Sequence, residues 1–283
     1  MHFPQAPWLL AAAIGTAVNA VSVVEVDLVF PRNETYAPTE DFPVVFAIQN
    51  SAKAELLNLV LSYSIMGADN FSERLLPTTP LWPDLMHTNL SISDPYLVYR
   101  FNDALKPGHW LLTGQLDYQS CDVEALTNPI QPVSGGIHSS VYRWSRMFTI
   151  ANSTSAPHSE VDLVAATKES DCPGDLNAHA INVTDTTMEA DPSLNNARRT
   201  TCVVTTNSTS GTPVHTPNPC GVSISPEMAA SISANLTAHR CNRSNPPDNC
   251  PVDENAAQGL VILGVSGLFA LCGALVLIIM QTS

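Results

Sequence analysis

The stretch Val23–Asn50 reads VVEVDLVFPRNETYAPTEDFPVVFAIQN and predicts the fold more strongly than any other part of the chain. Apolar residues occupy every second position on both sides of a break that contains Pro and Asn. They are Val24, Val26, Leu28 and Phe30 before the break, and Val44, Phe46 and Ile48 after it. Such alternation places one face of a strand against a core. We therefore expect two core strands here.

The same alternation recurs up to residue 152, with Pro, Gly and Asn between the runs. The further runs are Leu59–Ile65, Leu97–Phe101, Trp110–Tyr118 and Tyr142–Ile150. Six short runs of this kind are typical of a mainly β domain built from two packed sheets. Residues 21–152 are therefore predicted to form an antiparallel, immunoglobulin-like β-sandwich.

Residues 153–255 have a different texture, rich in Cys and Thr. The run VDLVAAT, Val161–Thr167, has the alternation of a strand, whereas Thr200–Gly221 has the composition of an extended loop. A short helix is predicted to begin after Ser225 as N-cap, with Pro226 in its first position, and to end near Arg240. We expect this loop-rich segment to pack on the sandwich.

The first 20 residues have the apolar stretch and small-residue site of a secretory signal peptide, cut after Ala20. The competing interpretation is a buried N-terminal helix. Cleavage would place the rest of the chain in the secretory pathway, with an extracellular ectodomain at the plasma membrane or cell wall.

Residues 256–283 form a hydrophobic anchor. The core of this segment, residues 260–280, lacks charge and would make a helix of about 31 Å, close to the roughly 30 Å of a bilayer core. It is either a transmembrane helix or a GPI-attachment signal. The absence of Lys and Arg after it favours GPI, with Asn255 or Asn249 as the attachment site, although Asn255 leaves a short spacer and Asn249 places Pro251 two residues on.

Six cysteines lie between the two ends, and a seventh, Cys272, lies in the anchor. The six are Cys121, Cys172, Cys202, Cys220, Cys241 and Cys250. An even number after a signal peptide predicts three disulfides, for which 15 pairings are possible. A metal site is the alternative, but no CxxC motif supports it. Because Cys121 is the only cysteine before residue 153, at least one disulfide should join the two segments.

Eight Asn-x-Ser/Thr sequons indicate an N-glycosylated surface. They begin at Asn33, Asn70, Asn89, Asn152, Asn182, Asn207, Asn235 and Asn242. Glycans on these residues would explain how a chain with only 13% charged residues stays in solution. Asn235 is the weakest of the eight, because on a helix it would lie close to the apolar face of Ile232.

Four stretches carry a resemblance to a known family: Asp27–Asn50, HWLLTGQLDYQSC (His109–Cys121), VDLVAAT, and TPNPCGVSISPEMAASISANLTAHRC (Thr216–Cys241). Over most of residues 21–250 the chain resembles an uncharacterised domain family of secreted and surface-anchored proteins of filamentous fungi. The resemblance implies an extracellular glycoprotein domain, sometimes followed by an anchor, and it transfers no catalytic residue.

The net charge of −14 argues against a nucleic-acid partner, since phosphates are neutralised by clustered Lys and Arg. The motifs of serine hydrolases, zinc proteases, nucleotide-binding loops and EF-hands are absent from the sequence, so we predict no catalytic, cofactor or metal residues. A carbohydrate hydrolase would need two facing carboxylates, for which Asp117 and Glu124 are the candidates.

Aromatic residues offer a second route to carbohydrate, because sugar faces stack on rings. Trp110, Trp144, Tyr99, Tyr118 and Tyr142 fall on the inward phase of their strands and are better interpreted as core, whereas Trp82 is expected to be exposed. The sequence thus favours a non-catalytic surface protein that is structural or binds a ligand, with the membrane and cell-wall polysaccharide as partners. The alternative is a hydrolase acting on wall carbohydrate.

Overall fold

The computed structural model describes residues 22–69, 79–80, 85–121, 136–152, 161–168, 178–189, 200–206, 215–244, 246–248 and 250. The predicted signal peptide and anchor lie outside these residues. Two compact units divide the chain between Ile232 and Ser233. Within the described ranges, no helix is both long and apolar enough to cross a bilayer.

Strands dominate the first unit. In the described residues they are β1 Ser22–Phe30, β2 Thr35–Tyr36, β3 Asp41–Gln49, β4 Val60–Gly67, β5 Thr79–Pro80, β6 Tyr96–Asp103, β7 Gly108–Cys121, β8 Ile137–Ile150, β9 Ala178–Glu189 and β10 Thr201–Thr205. The α-helices are α1 Ser51–Ala54, α2 Leu163–Ala166 and α3 Pro226–Cys241, and short 3-10 turns occupy Glu55–Leu57, Leu90–Ile92 and Pro219–Gly221.

The strands form two five-stranded sheets. The first has the order β10-β9-β1-β3-β6 and is antiparallel throughout, and the second has the order β2-β8-β7-β4-β5. In the second sheet β2 runs parallel to β8, while the remaining pairs are antiparallel. The prediction of a mainly β, antiparallel fold with few helices is confirmed.

Aromatic side chains from both sheets meet in a common core. Phe46 of β3 is fully buried, with its ring centroid 6.1 Å from that of Tyr63 on β4 and 5.9 Å from that of Trp144 on β8. Phe42 of β3 stacks on Phe148 of β8 with centroids 5.0 Å apart. Burial of such rings is the main stabilising term in a core of this kind, and these contacts hold the sheets together.

The other face of the first sheet is also buried. Val29 and Val45 lie out of phase with the residues facing the second sheet, yet both are buried. The same apolar cluster includes Leu163 of α2, Ile224 just before α3, and Ile232 within α3. The segment after residue 152 therefore covers the outer face of the sheet, and its strands β9 and β10 extend that sheet. The prediction of a loop over Thr200–Gly221 is wrong at its start, where Thr201–Thr205 form β10 and pair with β9.

The run VDLVAAT is not a strand, which corrects the sequence prediction. Its residues Leu163–Ala166 form helix α2. Asp162 caps the helix by accepting a hydrogen bond from the Ala165 amide at 2.9 Å, and the Thr167 hydroxyl donates to the Leu163 carbonyl at 2.7 Å. These local side-chain bonds satisfy helix ends and outweigh a weak alternation.

The predicted helix after Ser225 is confirmed as α3. Ser225 Oγ accepts a hydrogen bond from the Met228 amide at 3.2 Å, Pro226 occupies the first position, and Glu227 lies in the first turn. The helix ends at Cys241, one residue beyond the expected end.

Gly114 of β7 allows Trp144 to lie flat against the backbone of the neighbouring strand. A Cβ atom at Gly114 would lie 2.5 Å from Trp144 Cε2, and Trp144 is buried. We expect Gly114→Ala to push the indole out of its place and to lower the free energy of unfolding by about 1–3 kcal/mol. Thr113→Ala, on the opposite face, should cost much less, and urea titration of both variants would show this difference. Equal losses would contradict it.

Candidate functional site

Two carboxylates that the fold buries form the most unusual polar group of the described residues. Glu25 and Asp27 lie two residues apart on β1, on the face turned away from the second sheet, and are 4% and 0% exposed. The two carboxyl groups are close enough for Glu25 to raise the pKa of Asp27. Gln49, opposite Glu25 on β3, donates from Nε2 to Asp27 Oδ2 at 2.8 Å. We call Glu25 and Asp27 the carboxyl pair.

The residues His215–Gly221, which we call the strap, pack against Glu25 of the carboxyl pair and against Gln49, the residue that donates a hydrogen bond to Asp27. The Asn218 amide donates to Glu25 Oε1 at 2.5 Å, and His215 Nε2 lies 4.0 Å from Glu25 Oε2. The strap passes so close to Gln49 that a Cβ atom on Gly221 would lie 3.3 Å from Gln49 Oε1. A residue with a side chain would crowd this approach, which explains the glycine at the end of the strap.

Burial raises the pKa of Asp27 from its ordinary 3.8 to about 8. The neighbouring Glu25 carboxyl adds to the shift, and the hydrogen bond from Gln49 opposes it. Asp27 Oδ1 is buried and accepts no hydrogen bond from an N–H or hydroxyl donor of the described residues. A proton on Asp27, shared with Glu25, satisfies both observations, because two adjacent buried carboxylates cannot both remain charged without a large cost.

The sequence does not reveal the carboxyl pair as a site. In VEVDLVF, Glu25 and Asp27 fall on the polar phase of the alternation, which predicts solvent-exposed carboxylates. The fold buries them with residues from a distant part of the chain. Asn218, whose amide donates to Glu25, lies 193 residues beyond it in the sequence. The available signal was the pairing of two acidic residues on one face of an otherwise apolar strand.

The structure describes one of the two candidate carboxylates of the hydrolase hypothesis. Asp117 lies half-buried on β7, where Gln115 Nε2 donates to both of its oxygens at 2.9 and 3.1 Å, and Gln115 in turn accepts from Arg143 Nε at 2.8 Å. Glu124 lies outside the described residues. Asp117 is thus part of a polar ladder across β7 and β8.

Of the five aromatic residues considered as a sugar platform, two are core and three, Tyr99, Tyr118 and Tyr142, are half-buried. Tyr99 does not face the second sheet as predicted, because it pairs with Val45 on the outer face of the first sheet. Trp110 and Trp144 are buried, as the inward phase of their strands predicts. Tyr142 is half-buried, and its ring stacks on that of His179 with centroids 4.0 Å apart. Burial lowers the pKa of His179 to about 4, so this imidazole is neutral in the folded protein at neutral pH. Trp82 lies outside the described residues.

The described sequons differ in exposure. Exposed acceptor residues are Asn33, Asn89, Asn152, Asn235 and Asn242; Asn182, within β9, is half-buried. Asn70 and Asn207 lie outside the described residues. Asn235 is exposed although Ile232, one turn earlier on α3, is buried. At five positions the side chain is therefore accessible to a glycosyltransferase.

Two disulfides are present among the described residues. Cys121 of β7 bonds Cys202 of β10, which joins the two sheets and ties the segment before residue 153 to the segment after it, as the single cysteine of the first segment predicts. Cys241 bonds Cys250 in the second unit. Cys172, the side chain of Cys220, and the candidate attachment residues Asn249 and Asn255 lie outside what the structure describes.

Across the part of the chain that the structure describes, no group of three or more His, Cys, Asp or Glu could hold a metal ion. Together these features define a β-rich, disulfide-containing domain whose polar cluster is closed rather than open. The chain belongs to the family described as Domain of unknown function (DUF7136), whose model matches residues 19–250. No curated protein and no solved structure matches the chain.

Proposed function

We propose that this chain is a non-catalytic glycoprotein of the cell surface, held by its C-terminal segment at a membrane or wall. The observation that carries the proposal is the set of five exposed sequon asparagines on a domain whose sheets are joined by a disulfide. Disulfides persist in oxidising compartments, and sequons are modified only in the secretory pathway. The predicted signal peptide favours the same location, and the resemblance to surface proteins of filamentous fungi agrees with it.

The order of the strands supports an immunoglobulin-like sandwich as the finer description of the fold. Taken in chain order, β1, β3 and β6 correspond to strands A, B and E of one sheet, and β4, β7 and β8 to strands C, F and G of the other. The short β2 continues from β1 and joins the opposite sheet beside β8. Domains with this architecture commonly act in adhesion and recognition, which suits a surface role by analogy only.

The alternative, a hydrolase of wall carbohydrate, has one observation in its favour, the carboxyl pair with its raised Asp27 pKa. The geometry argues against it. Glycoside hydrolases hold their two carboxyl groups about 5–10 Å apart, on either side of a sugar, whereas Glu25 and Asp27 are both buried, side by side on one face of β1, with the strap bonded to Glu25. We therefore favour the non-catalytic role.

The proposed secretory location and anchoring can be tested by producing the full chain in a eukaryotic secretory host. We expect glycopeptide mass spectrometry to find glycans on Asn33, Asn89, Asn152, Asn235 and Asn242, with lower occupancy at half-buried Asn182. A phosphatidylinositol-specific phospholipase should release the protein from cells if the anchor is GPI, whereas recovery of the 260–280 peptide would show a retained transmembrane helix. An unmodified protein located in the cytosol would refute the proposal.

Activity is the point at which the two candidate functions differ. The purified glycoprotein should release no reducing sugar from wall polysaccharides, and a glycan array would show whether it binds them. Hydrolysis that is lost in Asp117→Asn or Asp27→Asn, with the fold intact by circular dichroism, would favour the hydrolase. Hydrolysis that survives both substitutions would indicate a contaminant.

A further inference from the structure

The strap and the carboxyl pair together form a contact that a single proton can control. Glu25 Oε1 accepts the Asn218 amide, so the covering segment is fastened to the pair directly. Asp27 Oδ2 accepts from Gln49, which leaves buried Asp27 Oδ1 with the Glu25 carboxyl as its neighbour. A proton bound to Asp27 Oδ1 is the donor that this arrangement lacks.

The described surroundings of the pair offer no permanent positive charge. From β9 its cross-strand neighbours are Ala180 and Ala178, and from β3 they are the amide Gln49 and Ala47. From the strap, the titratable group that faces the pair is half-exposed His215, 4.0 Å from Glu25. The charge that acts on Asp27 is that of Glu25, and within the described residues no Lys or Arg offsets it.

We propose that the strap His215–Gly221 opens locally in a pH-dependent way, closed when Asp27 and Glu25 share a proton and loosened when that proton is lost. Opening hydrates both carboxylates and breaks the bond from the Asn218 amide. Closing excludes water and returns one proton to the pair. The strap thus couples the state of one buried proton to the accessibility of β1 and β3 at this end of the first sheet.

The direction in which pH shifts the opening of the strap follows from the number of protons that each form binds. Burial holds the pKa of Asp27 at about 8 when the strap is closed, and exposure returns it toward its ordinary 3.8. Between these values the closed form binds more protons than the open form, so opening becomes more favourable as the pH rises, by up to about tenfold per pH unit. Above about pH 8 both forms are ionised and the dependence levels off.

Hydrogen exchange of the glycosylated full chain, measured from about pH 5 to about pH 9 and corrected for the intrinsic rate, tests this inference. Protection of the strap amides of Asn218 and Gly221 should fall by up to about tenfold per pH unit below about pH 8 and then become constant. The Ala166 amide, which bonds to Asp162 within α2, should show no such slope.

Variants test whether the shared proton, rather than another group, causes the pH dependence of strap protection. Asp27→Asn should abolish the slope, because the amide keeps an acceptor for Gln49 and a permanent donor for Glu25. Should that variant fail to fold, Glu25→Gln is expected to reduce the slope, while His215→Gln should leave it unchanged. A flat wild-type profile, or the same slope in Asp27→Asn, would overturn the proposal. Recovery of protection near pH 8 with millimolar Ca²⁺ would also overturn it, since a cation would then replace the proton.

Discussion

Asp27→Asn is expected to make the protein more stable near pH 8 than the unmodified chain, although the substitution removes a buried hydrogen-bonded group. The free energy of unfolding of the wild type should decrease as the pH rises from about 4 to about 8. Over this window the folded chain retains a proton on Asp27 that the unfolded chain releases, because the folded pKa is about 8 and the ordinary value is 3.8. For this one group the loss is at most about 1.4 kcal/mol per pH unit. The amide that replaces the carboxyl group in the variant cannot ionise, so the variant escapes that loss.

The measurement is urea unfolding of both proteins at about pH 4, 6 and 8. The free energies of unfolding of the wild type and Asp27→Asn should be nearly equal at about pH 4. They should differ increasingly toward about pH 8, with the variant the more stable. Asp185→Ala is the matched control, because Asp185 is exposed in a surface ion pair with Lys53 and such pairs contribute little. A variant that is less stable than the wild type near pH 8 would show that Asp27 functions as a buried anion.

Removal of the Cys121–Cys202 disulfide should produce the second large effect. The bond closes a loop of 81 residues and links β7 of the second sheet to β10 of the first. By the chain-entropy argument, Cys121→Ala/Cys202→Ala should lower the free energy of unfolding by about 4–5 kcal/mol. The loss should be visible as a decrease in the urea midpoint under oxidising conditions, with an unchanged far-ultraviolet spectrum before the transition.

The second disulfide supplies the comparison. Cys241 and Cys250 are only 9 residues apart, so the same argument gives a smaller contribution of about 2–3 kcal/mol, confined to the second unit. Two assigned bonds also reduce the roughly 15 possible pairings to one, since Cys172 and Cys220 are then left for each other. Peptide mapping without reduction should recover that pair, and a peptide joining either of them to Cys121 would contradict the assignment.

The alternation of Val24, Val26, Leu28 and Phe30 was enough to predict a core strand, because a period of two leaves a strong signature when one face is buried. It could not predict that Val29 would be buried too. The cluster in which Val29 is buried also contains Leu163 of α2 and Ile224, which lie far along the chain and carry only weak local signals. The alternation in VDLVAAT misled for a related reason, since the cap from Asp162 outweighs a few apolar residues.

The carboxyl pair could not be predicted as a site from the sequence, for a physical reason. Glu25 is buried rather than solvated because His215–Gly221 packs against it. No sequence pattern near Glu25 indicates that this distant segment will do so. The cysteines and sequons, by contrast, are recognised from composition alone. Short sequence patterns therefore identify the cysteines and sequons more readily than they identify the buried carboxyl pair.

The position of β1 in the first sheet has a consequence for biosynthesis. Its two neighbours are β3, which follows closely in sequence, and β9, whose Val183 pairs with Ser22. At roughly 5–20 residues per second, a ribosome needs on the order of 10–30 s to make the chain between those partners. During that time one edge of β1 is unpaired, and an unpaired edge invites association with other chains. If the chain enters the secretory pathway as proposed, lumenal chaperones should be needed to hold β1 until β9 has been translocated.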